Sequence, residues 1–333
     1  MVDTYKEFGV DLSLYKSIKD RADALAMDAD LITTPNNGVP AELLAYFDNA
    51  AIDILTAKRQ ATAVFDEVKK GDRTTPYYKF HTRENVGFTQ PYSDYSDNGK
   101  SGTNYDWMAR ENYLFETTIN YGDLESEIHS KARINYAGDQ QKAAATNIAI
   151  DTNRFYLFGV AGANNYGLIN QPNLPAAITA AASVADPSST SWDDKEGQEI
   201  YNDIVAMVTD MSERGEGWID TTTKFKLVIG PGANACLLKQ NNLGTASAMD
   251  LIKRNLPNLE VVVVPEYENN GVRNCQLIAV DVDGQRTGDM AFSEKFRAGR
   301  IVEGLSNYRQ KFMAGVYGCV IYRPLFVTTM TGI

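Results

Sequence analysis

The most enzyme-like stretch of the sequence is Gly230-Pro231-Gly232-Ala233-Asn234-Ala235. It follows an apolar run, Lys224–Ile229, and opens a helical one, which is the setting of the G-x-G-x-x-A dinucleotide turn. A ribose-binding acid should stand about 20 residues further on, and Glu266 lies well beyond that. A second helical segment, Ala246–Asn255, also intervenes where a plain strand–helix–strand unit carries one. The stretch therefore reads as a tight strand-to-helix turn. Gly99-Lys100-Ser101 has the ending of a phosphate loop, but Asp94 holds the place of its first glycine and the setting is a hairpin tip. Asp94, Asp97 and Asn98 could crowd round a calcium ion, yet the alternating spacing of an EF-hand loop is missing, which leaves a solvated turn. His81 and His129 are the only histidines, too few for a His-rich metal centre or a His-based triad. No catalytic residue, cofactor or metal follows from these spacings, and the expectation is a protein that is not an enzyme.

Composition points the same way. The chain of 333 residues can bury a sizeable core, and its formal net charge of −11 argues against gripping nucleic acid by phosphate neutralisation. Three cysteines, Cys236, Cys275 and Cys319, are widely spaced and form neither a disulfide framework nor a zinc set, so a reducing compartment is expected. The N-terminus has no signal-like apolar region and no window reaches a membrane span. Eighteen tyrosines suit large interfaces as well as cores.

The elements that would carry these residues are legible in outline. Residues 1–40 read as an extended arm, with a helix over Leu14–Met27, that must lie on something else. Residues 41–74 are helical in period, with Gly71 as the stop. Thr75–Gln90 and Asn104–Tyr121 alternate like strands around a turn-rich PYSDYSDNGKSGT, which predicts a hairpin of ~15-residue arms and roughly 50 Å. A two-stranded ribbon of that length is not stable alone in water, so it is expected to lie on a neighbouring subunit. Tyr121–Ala137 reads as a short helix. It leads into a long rod from Asp139, the expected N-cap, to Phe158, with Ile148 on its buried face and Gly159 as the left-handed stop. The loop beyond the rod ends on Gly167-Leu168. Helices over 193–214, 233–240 and 246–255 then alternate with strands over 224–229, 259–264 and 275–282, with a turn at Asn269–Gly271, as a compact α/β unit. Strands over 306–310, 316–322 and 325–329 return the chain to the first unit. The fold class is α+β, one domain interrupted by another.

Three segments in this order carry a resemblance. The ribbon tip VGFTQPYSDYSDNGKSGTNYDWMARE, the rod AGDQQKAAATNIAIDTNRFYLFG with its trailing YGLINQP, and the ending GVYGCVIYRPLFVTTMTGI resemble the major capsid proteins of tailed bacteriophages. They look closest to the branch labelled major capsid family, whose Hong Kong 97-type fold is shared with encapsulins. The resemblance covers about residues 40–333. It implies an N-arm over 1–40, a helical lead-in over 41–74, and an extended loop over 75–121 whose tip holds Asp94, Asp97, Gly99 and Lys100. A peripheral domain over 122–171 and 305–333 would contain the spine helix, marked by Asp139, Ile148 and Gly159. Gly167 and Leu168 would form the turn into an axial domain over 172–304, and Arg323-Pro324 would lead into the last peripheral strand. The implied function is a structural subunit that self-assembles as pentamers and hexamers into an icosahedral head shell. The shell would enclose packaged dsDNA without sequence-specific binding. Portal, scaffolding and decoration proteins are possible partners, no membrane is involved, and the protein would be found in the virion after assembly in the host cytoplasm. Some relatives weld subunits through a Lys–Asn bond; no partner for Lys100 can be matched, so no cross-link is expected. An encapsulin-like nanocompartment and a nucleotide-binding α/β enzyme built on Gly230–Ala235 stay open as alternatives.

Overall fold

Two main sheets, one of four strands and one of six, share one layer of core. The computed structural model describes residues 56–333 apart from 96, 97, 133, 134, 221, 242, 243, 245, 270 and 271. The expected arm over 1–40, the first part of the segment over 41–74, Asp97 and the turn at Asn269–Gly271 fall wholly or partly outside the described residues.

The chain begins with a single helical turn, α1 (Ala61–Val64), and β1 (Glu67–Lys69). The ribbon follows as β2 (Tyr77–Phe88) and β3 (Lys100–Glu111), then β4 (Tyr113–Gly122). Next come α2 (Asp123–Lys131), α3 (Tyr136–Phe158) and two short paired strands, β5 (Gly159–Val160) and β6 (Asn165–Tyr166). The α/β part comprises β7 (Ile178–Thr179), α4 (Gly197–Arg214), β8 (Phe225–Ile229), α5 (Pro231–Cys236), α6 (Ala248–Asn255), β9 (Leu259–Val263), β10 (Glu268–Asn269) and β11 (Val272–Ala279). A small hairpin, β12 (Asp281–Val282) and β13 (Gln285–Arg286), leads to the long strands β14 (Gly288–Glu303) and β15 (Asn307–Ile321), and β16 (Val327–Thr331) ends the series.

The long sheet has the order β1-β14-β15-β4, and α3 lies across one of its faces. Ala144 and Ile148 of that helix pack on Ile119, Phe312 and Ala314, so residues two apart on β15 meet residues four apart on α3. The second sheet has the order β7-β16-β11-β8-β9. Phe225, Leu227 and Ile229 point to one side of it, where Ile200, Ile204, Met207 and Met211 of α4 are fully buried at helical spacing. Val228 and Ile278 point to the other side and share a core with Tyr156 and Leu157 of α3 and with Met290 and Val316 of the long sheet. Burying each such side chain contributes about 1.5–3 kcal/mol, so the shared layer holds the two sheets together. The described residues accordingly belong to one compact unit.

Several expectations are corrected. Of the helix expected up to Gly71, the described residues keep only the turn Ala61–Val64: residues 56–60 have no regular structure, Phe65 is extended, and β1 pairs in parallel with Met290–Phe292. The second arm of the expected hairpin is two strands. It breaks at Asn112, where β3 stops pairing with β2 and β4 starts pairing with β15 from Val316 to Asn307. A sheet of matching length therefore exists, and β14, which carries no period-2 apolar pattern beyond Ser293, is the strand the sequence concealed. The strands expected over 306–310 and 316–322 are one continuous strand, β15. Finally, β16 pairs with β11 from Ile278 to Asn274 and thus belongs to the α/β sheet, not to the sheet that contains β15.

Candidate assembly surfaces

The ribbon is rooted by its own side chains. β2 and β3 pair without a slip from Tyr77–Glu111 to Phe88–Lys100. Phe80, at the root, is buried against Ala291, Tyr317 and Val320 and meets the Tyr322 ring edge-on at 5.5 Å. Arg110, opposite Tyr78, lies over the Tyr166 ring at 4.9 Å and donates to Gln171 Oε1 at 3.1 Å. Gln171 in turn donates to the Cys319 carbonyl. Burial is the main influence on the Arg110 guanidinium and pulls its pKa below the usual value. The Asn112 N–H closes the root on the Pro76 carbonyl at 2.8 Å.

Beyond this root the ribbon packs on no other element among the described residues. Twelve residues per strand at ~3.3 Å give a projection of roughly 40 Å. Tyr77, Phe88, Tyr105 and Trp107 are more than half exposed, and Tyr92 and Tyr95 at the tip are 91% and 100% exposed. His81 sits between two of these rings, 5.1 Å from Trp107 and 6.1 Å from Tyr105. An exposed aromatic surface of this extent marks a contact site. At the tip Asp94 accepts from the Tyr92 hydroxyl at 2.6 Å, Lys100 opens β3 opposite Phe88, and a Cβ on Gly99 would meet the Phe88 carbonyl oxygen at an ordinary 3.8 Å. A second projection ends the long sheet: the end of β14 exposes Ile301 and Val302, and the loop before β15 exposes Leu305.

The rod and its exit are built differently from the expectation at the start and close to it at the end. Asn135, not Asp139, caps α3, its side chain accepting from the Gly138 N–H at 3.3 Å. Asn caps as well as Asp does, and Asp139 stays in the first turn where a negative charge suits the helix dipole. Gly159 ends the helix with φ +67° and ψ −162°, a conformation reserved for glycine but outside the left-handed helical region. The chain then doubles back, so that Leu168 N–H and Ile169 N–H donate to the Tyr156 and Leu157 carbonyls at 2.9 and 3.0 Å. The Asn170 side chain takes the Phe158 carbonyl at 2.6 Å. Three orphan carbonyls at the helix end are thereby satisfied by one loop. Gly167 is needed for that approach, since a Cβ there would fall on the Leu157 carbonyl and the Phe158 nitrogen. Leu168 is fully buried in the shared core. Arg323 holds the β12–β13 hairpin through Val282 O and Gln285 Oε1, and Pro324 opens the 3₁₀ turn before β16.

The dinucleotide-like turn is already filled. The Gly232 N–H donates to Glu268 Oε2 at 2.6 Å, where a pyrophosphate would have to sit, and α5 behind it is only six residues long. Glu268 pairs with Arg273 at 2.8 Å, and Arg273 with Asp193 at 2.6 Å. The backbone bond from Gly232, followed by Arg273, holds the Glu268 carboxyl below its ordinary range; Cys236 and then Arg273 do the same for Asp193. Glu266, the candidate ribose acid, instead accepts from Asn153 of α3 at 2.7 Å.

The sequence model of the Pa193 gp26 major capsid protein family matches residues 30–332. This chain belongs to that family. It is a major capsid protein, a structural component of a phage head shell. Its fold is the Hong Kong 97-type capsid fold, as likeness to solved structures shows. The capsid of the Myoviridae phage XM1 is 14% identical, with 90% of this chain and 100% of that one covered and a TM-score of 0.73. The capsid of the native GTA particle is 7% identical, with 92% and 99% covered and a TM-score of 0.63. The mature capsid of bacteriophage PhiM1 is 10% identical, with 86% and 91% covered and a TM-score of 0.56. No curated protein sequence matches the chain.

Sequence reasoning about this capsid protein missed the residues that root its projections. Arg110 and Gln171 are polar and far apart in the chain, and only the fold brings them onto a buried carbonyl and a ring. It also missed Lys195 and Asp203, a buried pair 2.5 Å apart with side chains 0% and 3% exposed. Trp192 Nε1–H and the Ala181 N–H complete the Asp203 carboxylate at 2.9 and 3.2 Å.

Proposed function

We propose that this capsid protein self-assembles through its ribbon, which lies across a neighbouring subunit, into the pentamers and hexamers of an icosahedral head. The observation that carries this reading is the ribbon itself: about 40 Å of two-stranded sheet with exposed Tyr, Trp and Phe that no other part of the described chain covers. Residues 1–40 act as an arm. The long sheet with α3 is the peripheral domain, and the α/β sheet with α4, α5 and α6 is the axial domain that surrounds the capsomer axes. Because β14 lies in the first sheet and β16 in the second, the peripheral domain takes residues up to 321, and the axial domain takes back the last strand.

The head encloses dsDNA without sequence-specific binding. A subunit of net charge −11 repels the phosphate backbone on average, which suits a container that must release its contents. Portal, scaffolding and decoration proteins join the shell as partners, and the protein resides in the virion after assembly in the host cytoplasm. Its role is structural, with no catalytic step. Electron microscopy of the purified protein tests this directly. Closed shells of uniform diameter are the expected result, and a discrete small oligomer at all concentrations would overturn it.

A further inference from the structure

A groove of about 450 Å³ runs along α3 beside β14 and the residues around α1. Ala145, Ile148 and Ala149 line it from the helix, and Phe296, stacked on Phe312 at 5.3 Å, closes it from β14. Its polar groups gather at the other end, about 16 Å along the helix, around Tyr156. The Ala61 N–H donates to Asn153 Oδ1 at 3.0 Å, which brings Arg59 and Thr62 to this end as well. Thr152 and Asn153 are already engaged, donating to the Ile148 carbonyl at 2.7 Å and to Glu266 at 2.7 Å. Tyr156 is different. It is 1% exposed, yet its hydroxyl oxygen has no hydrogen-bond partner. Burial first, and Glu67 after it, push the phenol pKa above its ordinary value, so the group keeps its proton and lacks only an acceptor. Glu67 is not that acceptor, because Lys295 engages its carboxylate. Arg59 is exposed and has no partner among the described residues. The groove therefore carries two cations, Arg59 and Lys295, against one acid, Glu67.

An apolar trough, an unpaired buried donor and an excess positive charge at one end together define an amphipathic, singly negative ligand. We infer that this groove binds a free fatty acid of medium chain length. The alkyl chain lies on Ala145, Ile148, Ala149 and Phe296, the carboxylate accepts from the Tyr156 hydroxyl, and Arg59 supplies the counter-charge. The volume is that of a small-ligand site, and the length along α3 seats a chain of about ten carbons. A bound carboxylate would satisfy the one buried polar group of the groove that the fold leaves unpaired, and would staple α3 to β14. This inference is independent of how the subunits assemble.

The test titrates the full chain with sodium decanoate, kept below its micellar range, by isothermal calorimetry, and follows the melting temperature in parallel. Saturable binding of one decanoate per subunit is expected, with melting raised by about 4 °C at ~100-fold excess over Kd. Octanoate should bind about tenfold more weakly, since each buried CH₂ is worth roughly a factor of four. Tyr156→Phe should weaken decanoate about tenfold, the loss of one hydrogen bond to a charged acceptor. Without ligand that variant should melt at or above the parent temperature, because it removes an unpaired buried hydroxyl, so lost binding is separated from lost folding. Arg59→Gln should weaken decanoate about threefold, as an exposed charge contact allows, and leave decanol unaffected. Ala145→Leu, which fills the trough, should abolish binding of both. Equal affinity of the parent and Tyr156→Phe overturns the site. Unsaturable uptake of many decanoates per subunit marks a detergent effect and overturns it too. Shells blocked by Ala145→Leu in a chain that has no affinity for decanoate assign the groove to a docked protein segment and overturn it as well.

Discussion

At the scale of single residues, the buried Lys195–Asp203 pair has the clearest energetic consequence. Asp203 accepts from an ammonium, an indole and a backbone N–H at once, which leaves little of the carboxylate unsatisfied. Removing it strands a positive charge in the core of the α/β sheet. Asp203→Ala should therefore destabilise the subunit by roughly 3–5 kcal/mol in urea unfolding, while Lys195→Met combined with Asp203→Leu should recover most of that loss. The Asp193–Arg273–Glu268 chain predicts a pH effect. Both carboxyls titrate below their unfolded values, so their contribution is fully present above about pH 4.5 and is lost as pH falls through the folded values. Unfolding measured across that acid range should be less steep in pH for Glu268→Gln than for the parent chain. None of these residues could be singled out in the sequence. A lysine and an aspartate eight positions apart look like any surface pair until α4 turns one of them inward.

At the scale of elements, strong periodicity was legible and pairing partners were not. The apolar stripe of α4 and the alternation in β8 and β11 name their own buried faces, because each element meets one continuous layer of core. α3 was found with its end right and its N-cap four residues late, at Asp139 where the structure has Asn135, since Gly138 looks like a break but is tolerated in a first turn capped by Asn135. The joint at Asn112 was invisible because both β3 and β4 alternate, and only their partners differ. β14 was missed for a physical reason too: register shifts relative to β15 break its alternation, and much of its length faces water. The buried face of α3 gives the element-scale prediction. Ile148→Asp would place a charge among Ile119, Phe312 and Ala314, and should abolish shells by unfolding the long sheet. Circular dichroism should show the loss in the isolated subunit, so that the defect is one of folding and not of contact.

At the scale of the whole molecule, the part proposed to carry assembly lies apart from the part that carries the fold. The shared core around Tyr156, Leu168, Val228 and Met290 makes no use of the ribbon beyond its root. Replacing residues 82–106 with a short turn should therefore leave a folded, soluble subunit whose melting temperature is within a few degrees of the parent, yet which forms no shells by size exclusion. The family resemblance was readable in the sequence because the projecting segments look unlike anything a monomer needs.

The position of β16 has a consequence for how the subunit is made. The α/β sheet is drawn from residues 178–279, but the strand beside β11 is supplied by residues 327–331, after the whole long sheet has been laid down. On the ribosome, that sheet must wait with β11 offering an open edge while some fifty further residues emerge at about 5–20 per second. Only a chain that has passed Val327 can close it. A stalled or truncated product keeps an unpaired strand and a bared core, which marks it for aggregation or proteolysis before it can enter a growing head. A chain ended before Val327 should therefore be recovered in aggregates or be degraded, and should not be found in shells made by co-expression with the full-length subunit.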